Sequence, residues 1–113
     1  MSMFRRSMNM KRGEIYWVRL DPTVGSEIQK TRPCVLITVN PINRLRRSVV
    51  VVPLTSRGPE TLPIRVSLES TQSFAVCDQI RAVAKERIGR LQGQLSDDDM
   101  FKLGENLKSV LGL

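Results

Sequence analysis

The chain has 113 residues, 41% of them apolar, and carries 18 basic against 11 acidic side chains, a net charge of +7. That is enough chain to bury one core without disulfides or metals, and no pure apolar run exceeds four residues, as at Val49 to Val52, far too short to span a bilayer. Histidine is absent, which removes the commonest general base, and with only two cysteines this argues against a structural zinc site.

The charge is unevenly spread. Residues 95–113 hold two basic and four acidic residues, leaving 16 basic against 7 acidic on the first 94. Such a bias favours a polyanion or an acidic partner. Cys34 and Cys77 each sit inside an apolar run, as buried free thiols do, and nothing indicates an oxidising compartment; a cytoplasmic protein with reduced thiols is expected.

Residues 1–9 have two arginines but no apolar stretch behind them, so they read as a disordered extension rather than a signal peptide, with a single domain over 10–113. Residues 14–20, EIYWVRL, form a β-prone run ended by the turn signal Asp21-Pro22. A second strand is expected over 33–39, PCVLITV, with Pro33 at its first position, where no ladder bond is lost. The run 48–54, SVVVVPL, is apolar on both faces and so central to the sheet. In 64–68, IRVSL, Ile64, Val66 and Leu68 share a face. Residues 74–83, FAVCDQIRAV, form a fifth strand or a pair of strands. Ser96, with Asp99 three residues later, signals a capped helix start, and Met100, Leu103, Leu107, Val110 and Leu111 follow as one apolar stripe. Short strands followed by one terminal helix indicate a small, mostly β barrel or sandwich.

Three places in this pattern suggest chemistry. The polar segment GSEIQKTRP, residues 25–33, holds Glu27, Lys30 and Arg32 between the first two strands, and Pro33 biases Arg32 toward an extended backbone. A guanidinium so held suits a phosphate, although a surface ion pair with Glu27, worth at most about 1 kcal/mol, explains it equally well. The third strand ends at Thr55-Ser56 beside Arg57, two hydroxyls that an ordinary strand-to-turn transition also accounts for. In the fifth run, strict alternation sets Asp78 on the face of Phe74, Val76 and Ile80, which is costly unless it is hydrogen-bonded or a strand break re-aims it.

Four segments taken together, RGEIYWVRLDPTVGSE (12–27), KTRPCVLIT (30–38), VVVPLTS (50–56) and CDQIRAV (77–83), resemble the successive motifs of the MazF/PemK toxins of type II toxin–antitoxin systems. The resemblance implies an SH3-like β-barrel with a C-terminal helix, acting as a homodimer that cuts single-stranded RNA, typically mRNA, at short specific sequences without the ribosome. It implies attack of the 2′-hydroxyl on the adjacent phosphate without metal or cofactor, leaving a 2′,3′-cyclic phosphate and a 5′-hydroxyl. Carried over by motif, Arg32 stabilises the phosphorane, Thr55 binds the scissile phosphate, and Glu27 or Asp78 serves as base. Val76 and Ser26 depart from relatives that carry an arginine and a histidine there. Lys30, Ser56, Arg57, Gln79 and Arg81, with Arg44, Arg46 and Arg47 of an NRLRR loop, are then candidates to hold RNA. An acidic MazE-like antitoxin occluding the RNA groove is the expected inhibitor. Two competing readings remain: a non-enzymatic gyrase poison of the CcdB type, and an inactive RNA-binding barrel.

Overall fold

In the computed structural model, which describes residues 9–20 and 31–113, the chain runs β1 (Glu14–Arg19), β2 (Thr31–Leu36), α1 (Asn40–Leu45), β3 (Ser48–Thr55), β4 (Arg65–Leu68), β5 (Ser73–Val76), β6 (Arg81–Ala84), β7 (Ile88–Gln94) and α2 (Asp97–Leu111). Short 3-10 turns at Cys77–Gln79 and Lys85–Arg87 join β5 to β6 and β6 to β7. Every strand pairing is antiparallel, in the order β4-β5-β3-β2-β1-β7, with β6 also on β3. The expected architecture is present: an open SH3-like barrel with a C-terminal helix. No helix among the described residues is long and apolar enough to cross a membrane.

Strand β3 is the centre of this arrangement. One edge pairs with β2, and the other is shared: Ser48 to Val51 pair with β6, while Leu54 and Thr55 pair with β5. Pro53 falls between the two ladders, where the amide that proline lacks has no strand to bond. The apolar residues on its two faces feed two clusters. Val49 and Val51 join Met10, Tyr16, Val18, Leu20, Cys34, Leu36, Val83 and Ile88. Val52 and Leu54 join Ile15, Val35, Val66, Leu68, Ala75 and Cys77 beneath α2.

Helix α2 starts at Ser96, whose Oγ accepts the Asp99 amide at 3.1 Å, and ends at Gly112 in the left-handed region with φ 72°. Leu103 and Leu107 are buried and Met100 and Val110 pack on the same cluster, so the stripe covers this subunit's own sheet. Leu111, at the helix end, stays 47% exposed.

Several expectations need correction. Strand β2 begins at Thr31 rather than at residue 33, so Pro33 is its third residue. It is tolerated because the ladder to β3 opens only at Cys34. The NRLRR segment is not simply a loop: its first residues complete α1, leaving Arg46 and Arg47 beyond the helix. Asp99 does not return a bond to the Ser96 amide as a capping box would; its carboxylate turns inward to Glu69 and Ser70. Ile64 lies outside β4 and is 43% exposed. The run 74–83 takes the two-strand alternative. Strand β7 was not anticipated, because two glycines and mostly exposed polar side chains conceal any alternation. The expected extension over residues 1–9 lies, apart from Asn9, outside the described residues.

Candidate active site

The β2–β3 register pairs Cys34 with Pro53 and Leu36 with Val51. Continued by two residues, it brings Arg32 level with Thr55 at the far end of both strands. Paired residues in an antiparallel ladder project to the same face, so Arg32, Cys34 and Thr55 share one. Arg81 joins them from β6, since it pairs with Val51. Arg32 and Arg81 are both half-buried, and both lie close enough to Cys34 to act on its titration. Neither is ion-paired with a carboxylate among the described residues.

Arg81 faces this way because of the break before it. Ala75 of β5 pairs with Leu54 and points into the cluster beneath α2. Uninterrupted alternation would aim residue 81 into that apolar cluster too. The turn at Cys77–Gln79 shifts the phase by one residue, which reverses every side chain that follows. The same turn resolves the cost attached to Asp78: Cys77 stays buried, while Asp78 and Gln79 are exposed at the rim beside the Pro53 stretch of β3.

Thr55 is held by its neighbours. Its Oγ1 accepts the Arg57 amide at 3.2 Å, which leaves the hydroxyl hydrogen to be donated elsewhere. Arg65 Nη1 donates to the Arg57 carbonyl at 2.8 Å and fixes the turn from the other side. Gly58 lies on Phe74, the partner of Thr55 across β5; a Cβ there would come within 2.9 Å of the ring. Ser56 and Arg57 are exposed on this turn, next to the Arg32 mouth.

The remaining expected residues fall elsewhere. Arg44, Arg46 and Arg47 are exposed at α1 and the opposite end of β3, so they are not part of the Arg32–Thr55 constellation. Glu27 and Lys30 lie outside the described residues. Sequence reasoning missed Arg65, Phe74 and Gly58, whose roles depend on pairings that cannot be read locally. It also missed the part Asp99 plays in holding the β4–β5 turn.

Burial pushes the Cys34 thiol up to about 12, against the opposing pull of Arg81 and Arg32. Cys77 is pushed up to about 11 by burial and by the adjacent Asp78. Neither supplies a thiolate nucleophile near neutral pH. What the face presents is therefore two guanidinium groups and a hydroxyl donor around a neutral floor, with an exposed carboxylate at the rim. Such a set can hold a phosphate and stabilise charge that develops on it.

Residues 11–111 match the model of the family described as PemK-like, MazF-like toxin of type II toxin-antitoxin system. The chain belongs to this family. The chain is 38% identical over 116 residues to the endoribonuclease PemK of Escherichia coli, covering 96% of this chain and 87% of that one. Against the endoribonuclease MazF9 of Mycobacterium tuberculosis it is 39% identical over 115 residues, covering 92% and 98%. Among solved structures, a mycobacterial endoribonuclease in complex with its cognate antitoxin superposes with a TM-score of 0.76 at 25% identity, over 92% of this chain and 96% of that one.

Proposed function

We propose that this PemK-like, MazF-like toxin is an endoribonuclease that cuts single-stranded RNA, principally mRNA, at short specific sequences, without metal and without the ribosome. The 2′-hydroxyl oxygen attacks the adjacent phosphorus, and its proton passes to a carboxylate, Glu27 or Asp78. The bond to the 5′-oxygen breaks, that oxygen takes up a proton, and the products are a 2′,3′-cyclic phosphate and a 5′-hydroxyl. Arg32 stabilises the negative charge on the phosphorane and donates a hydrogen bond to the leaving oxygen. Thr55 donates its free hydroxyl hydrogen to a non-bridging oxygen. Arg81 provides a second cation, and Lys30, Ser56, Arg57 and Gln79 hold neighbouring nucleotides. The enzyme works in the cytoplasm as a homodimer, restrained by an acidic antitoxin laid over the same groove.

The observation that carries this reading is the convergence of Arg32, Arg81 and Thr55 on one face, with the two arginines unpaired to any described carboxylate. Half-buried guanidinium groups with no counterion among the described residues are suited to an anion from outside. The relatives named as endoribonucleases support the same substrate class. The test is incubation with a long single-stranded RNA in EDTA, with the ends mapped and Arg32→Ala and Thr55→Val run alongside. Discrete cuts bearing cyclic phosphates are expected. Thr55→Val, which keeps the shape and removes one donor, should slow cleavage by roughly 10²–10³-fold. Intact RNA from folded wild-type protein would sink the proposal and move attention to gyrase as the target.

A further inference from the structure

The arginines left outside the catalytic face are joined to it by the turn at Lys85–Arg87. At one end, the Lys85 amide donates to the Arg47 carbonyl at 2.9 Å, and Lys85 Nζ donates to the Asn43 carbonyl at the end of α1. Two residues later Arg87 Nη1 reaches the Arg19 carbonyl at 3.5 Å. Arg19 pairs with Thr31, and Val18 pairs with both Arg32 and Ile88. Along β3 the two regions stand at opposite ends, roughly 23 Å apart at about 3.3 Å per residue. The barrel's curl lets a three-residue turn connect them by a shorter route.

From this juxtaposition we infer a flanking-strand path: single-stranded RNA leaving the scissile site at Arg32 runs over Arg87 onto Arg47 and Arg46. The inference rests on the endoribonuclease reading and extends it to residues outside the reaction. Arg46 and Arg47 are exposed, and none of the three arginines is ion-paired to a carboxylate among the described residues. Their support is held in place before RNA arrives. The Arg12 amide binds Asn40 Oδ1 at 2.7 Å at the start of α1, and buried Asn43 donates to the Thr38 carbonyl at 2.7 Å. A row of guanidinium groups on a fixed support follows a phosphate backbone without reading its sequence, so the path adds affinity rather than base preference.

The experiment compares kcat/KM for a minimal RNA around a mapped cut with that for the same sequence extended by about a dozen nucleotides on each side, a length suited to grooves of this kind. The variant is Arg46→Gln/Arg47→Gln/Arg87→Gln, which removes charge while keeping polar side chains. The ratio of long to short should fall about tenfold, and the salt slope for the long RNA should flatten by about 2, at about 0.7 per lost phosphate contact. An unchanged ratio in a protein that cuts both RNAs overturns the path alone, and leaves these cations to an acidic protein partner. If wild type cuts neither RNA, the endoribonuclease reading is what fails. The path is then decided by Kd for mixed-sequence RNAs of the two lengths, measured with and without the three substitutions in an Arg32→Ala background. A length preference that survives the substitutions overturns it there too.

Discussion

Replacing Asp99 by asparagine should destabilise the protein far more than its conservative appearance suggests. The Asp99 side chain accepts the Glu69 amide at 3.2 Å, the Ser70 amide at 2.8 Å and the Ser70 hydroxyl. Ser70 Oγ in turn accepts the Ser96 amide at 3.3 Å. One carboxylate thus ties the β4–β5 turn to the start of α2, and β5 carries Phe74 opposite Thr55. Asparagine keeps one acceptor oxygen and presents an NH2 group to donors. About two charge-assisted bonds are lost at about 1.5 kcal/mol each, or roughly 3 kcal/mol in all. For a domain of this size that corresponds to a fall in Tm of roughly 12 °C, at about 4 °C per kcal/mol. Burial alone would raise the Asp99 pKa from 3.8, but the bonds from Ser70 and Glu69, with Lys102 nearby, more than offset this and hold it lower. A carboxyl depressed in the folded state contributes stability above its unfolded value, which is lost as pH falls through the folded value. Wild type should therefore exceed Asp99→Asn by the full margin at neutral pH, and the gap should close below about pH 3.8. Thermal unfolding of both proteins across that range is the assay. A gap under about 2 °C at pH 7, or one that widens on acidification, would refute the reasoning.

Two further outcomes follow from the packing beside the site and in the core. Gly58→Ala forces either the Phe74 ring or the Thr55–Gly58 turn to move, at a cost of about 1–3 kcal/mol; a protein that melts lower and cleaves RNA more slowly is expected, whereas unchanged kcat/KM would detach this turn from the site. With Cys34 near 12 and Cys77 near 11, both thiols stay protonated at pH 8. Iodoacetamide should label them in urea and leave them almost untouched in the native protein, and rapid native labelling would contradict the burial described.

Elements whose cause is local were legible in the sequence. Val49 to Val52 announce a strand buried on both faces, and Ser96 with the stripe from Met100 to Val110 announces a capped, packed helix. Arg32 and Thr55 were singled out through motif order, since alone Arg32 fitted a surface ion pair with Glu27 and Thr55 an ordinary strand-to-turn transition. What escaped was set by partners distant in the chain. Strand β7 is held by pairing with β1, its glycines and polar residues giving no period of their own. Asp99 satisfied a helix-start pattern, but its carboxylate is turned by Glu69 and Ser70, 30 and 29 residues away. Arg65 matters through a carbonyl eight residues back, on a turn whose course depends on Phe74.

The position of the site can be traced to one imino acid. Pro53 cannot donate to a neighbour on β3's outer edge, so that edge takes two partners with a space between them rather than one continuous strand. The chain fills the space with Cys77–Gln79, burying the cysteine and lifting Asp78 and Gln79 to the rim. Because the 3-10 turn shifts the alternation by one residue, Arg81 returns on the face of Arg32 instead of entering the apolar cluster under α2. A single uninterrupted strand there would bury a guanidinium among Ala75, Val52 and Leu103 with no counterion, at prohibitive cost. The irregularity is thus what reconciles an apolar core with two arginines on one face.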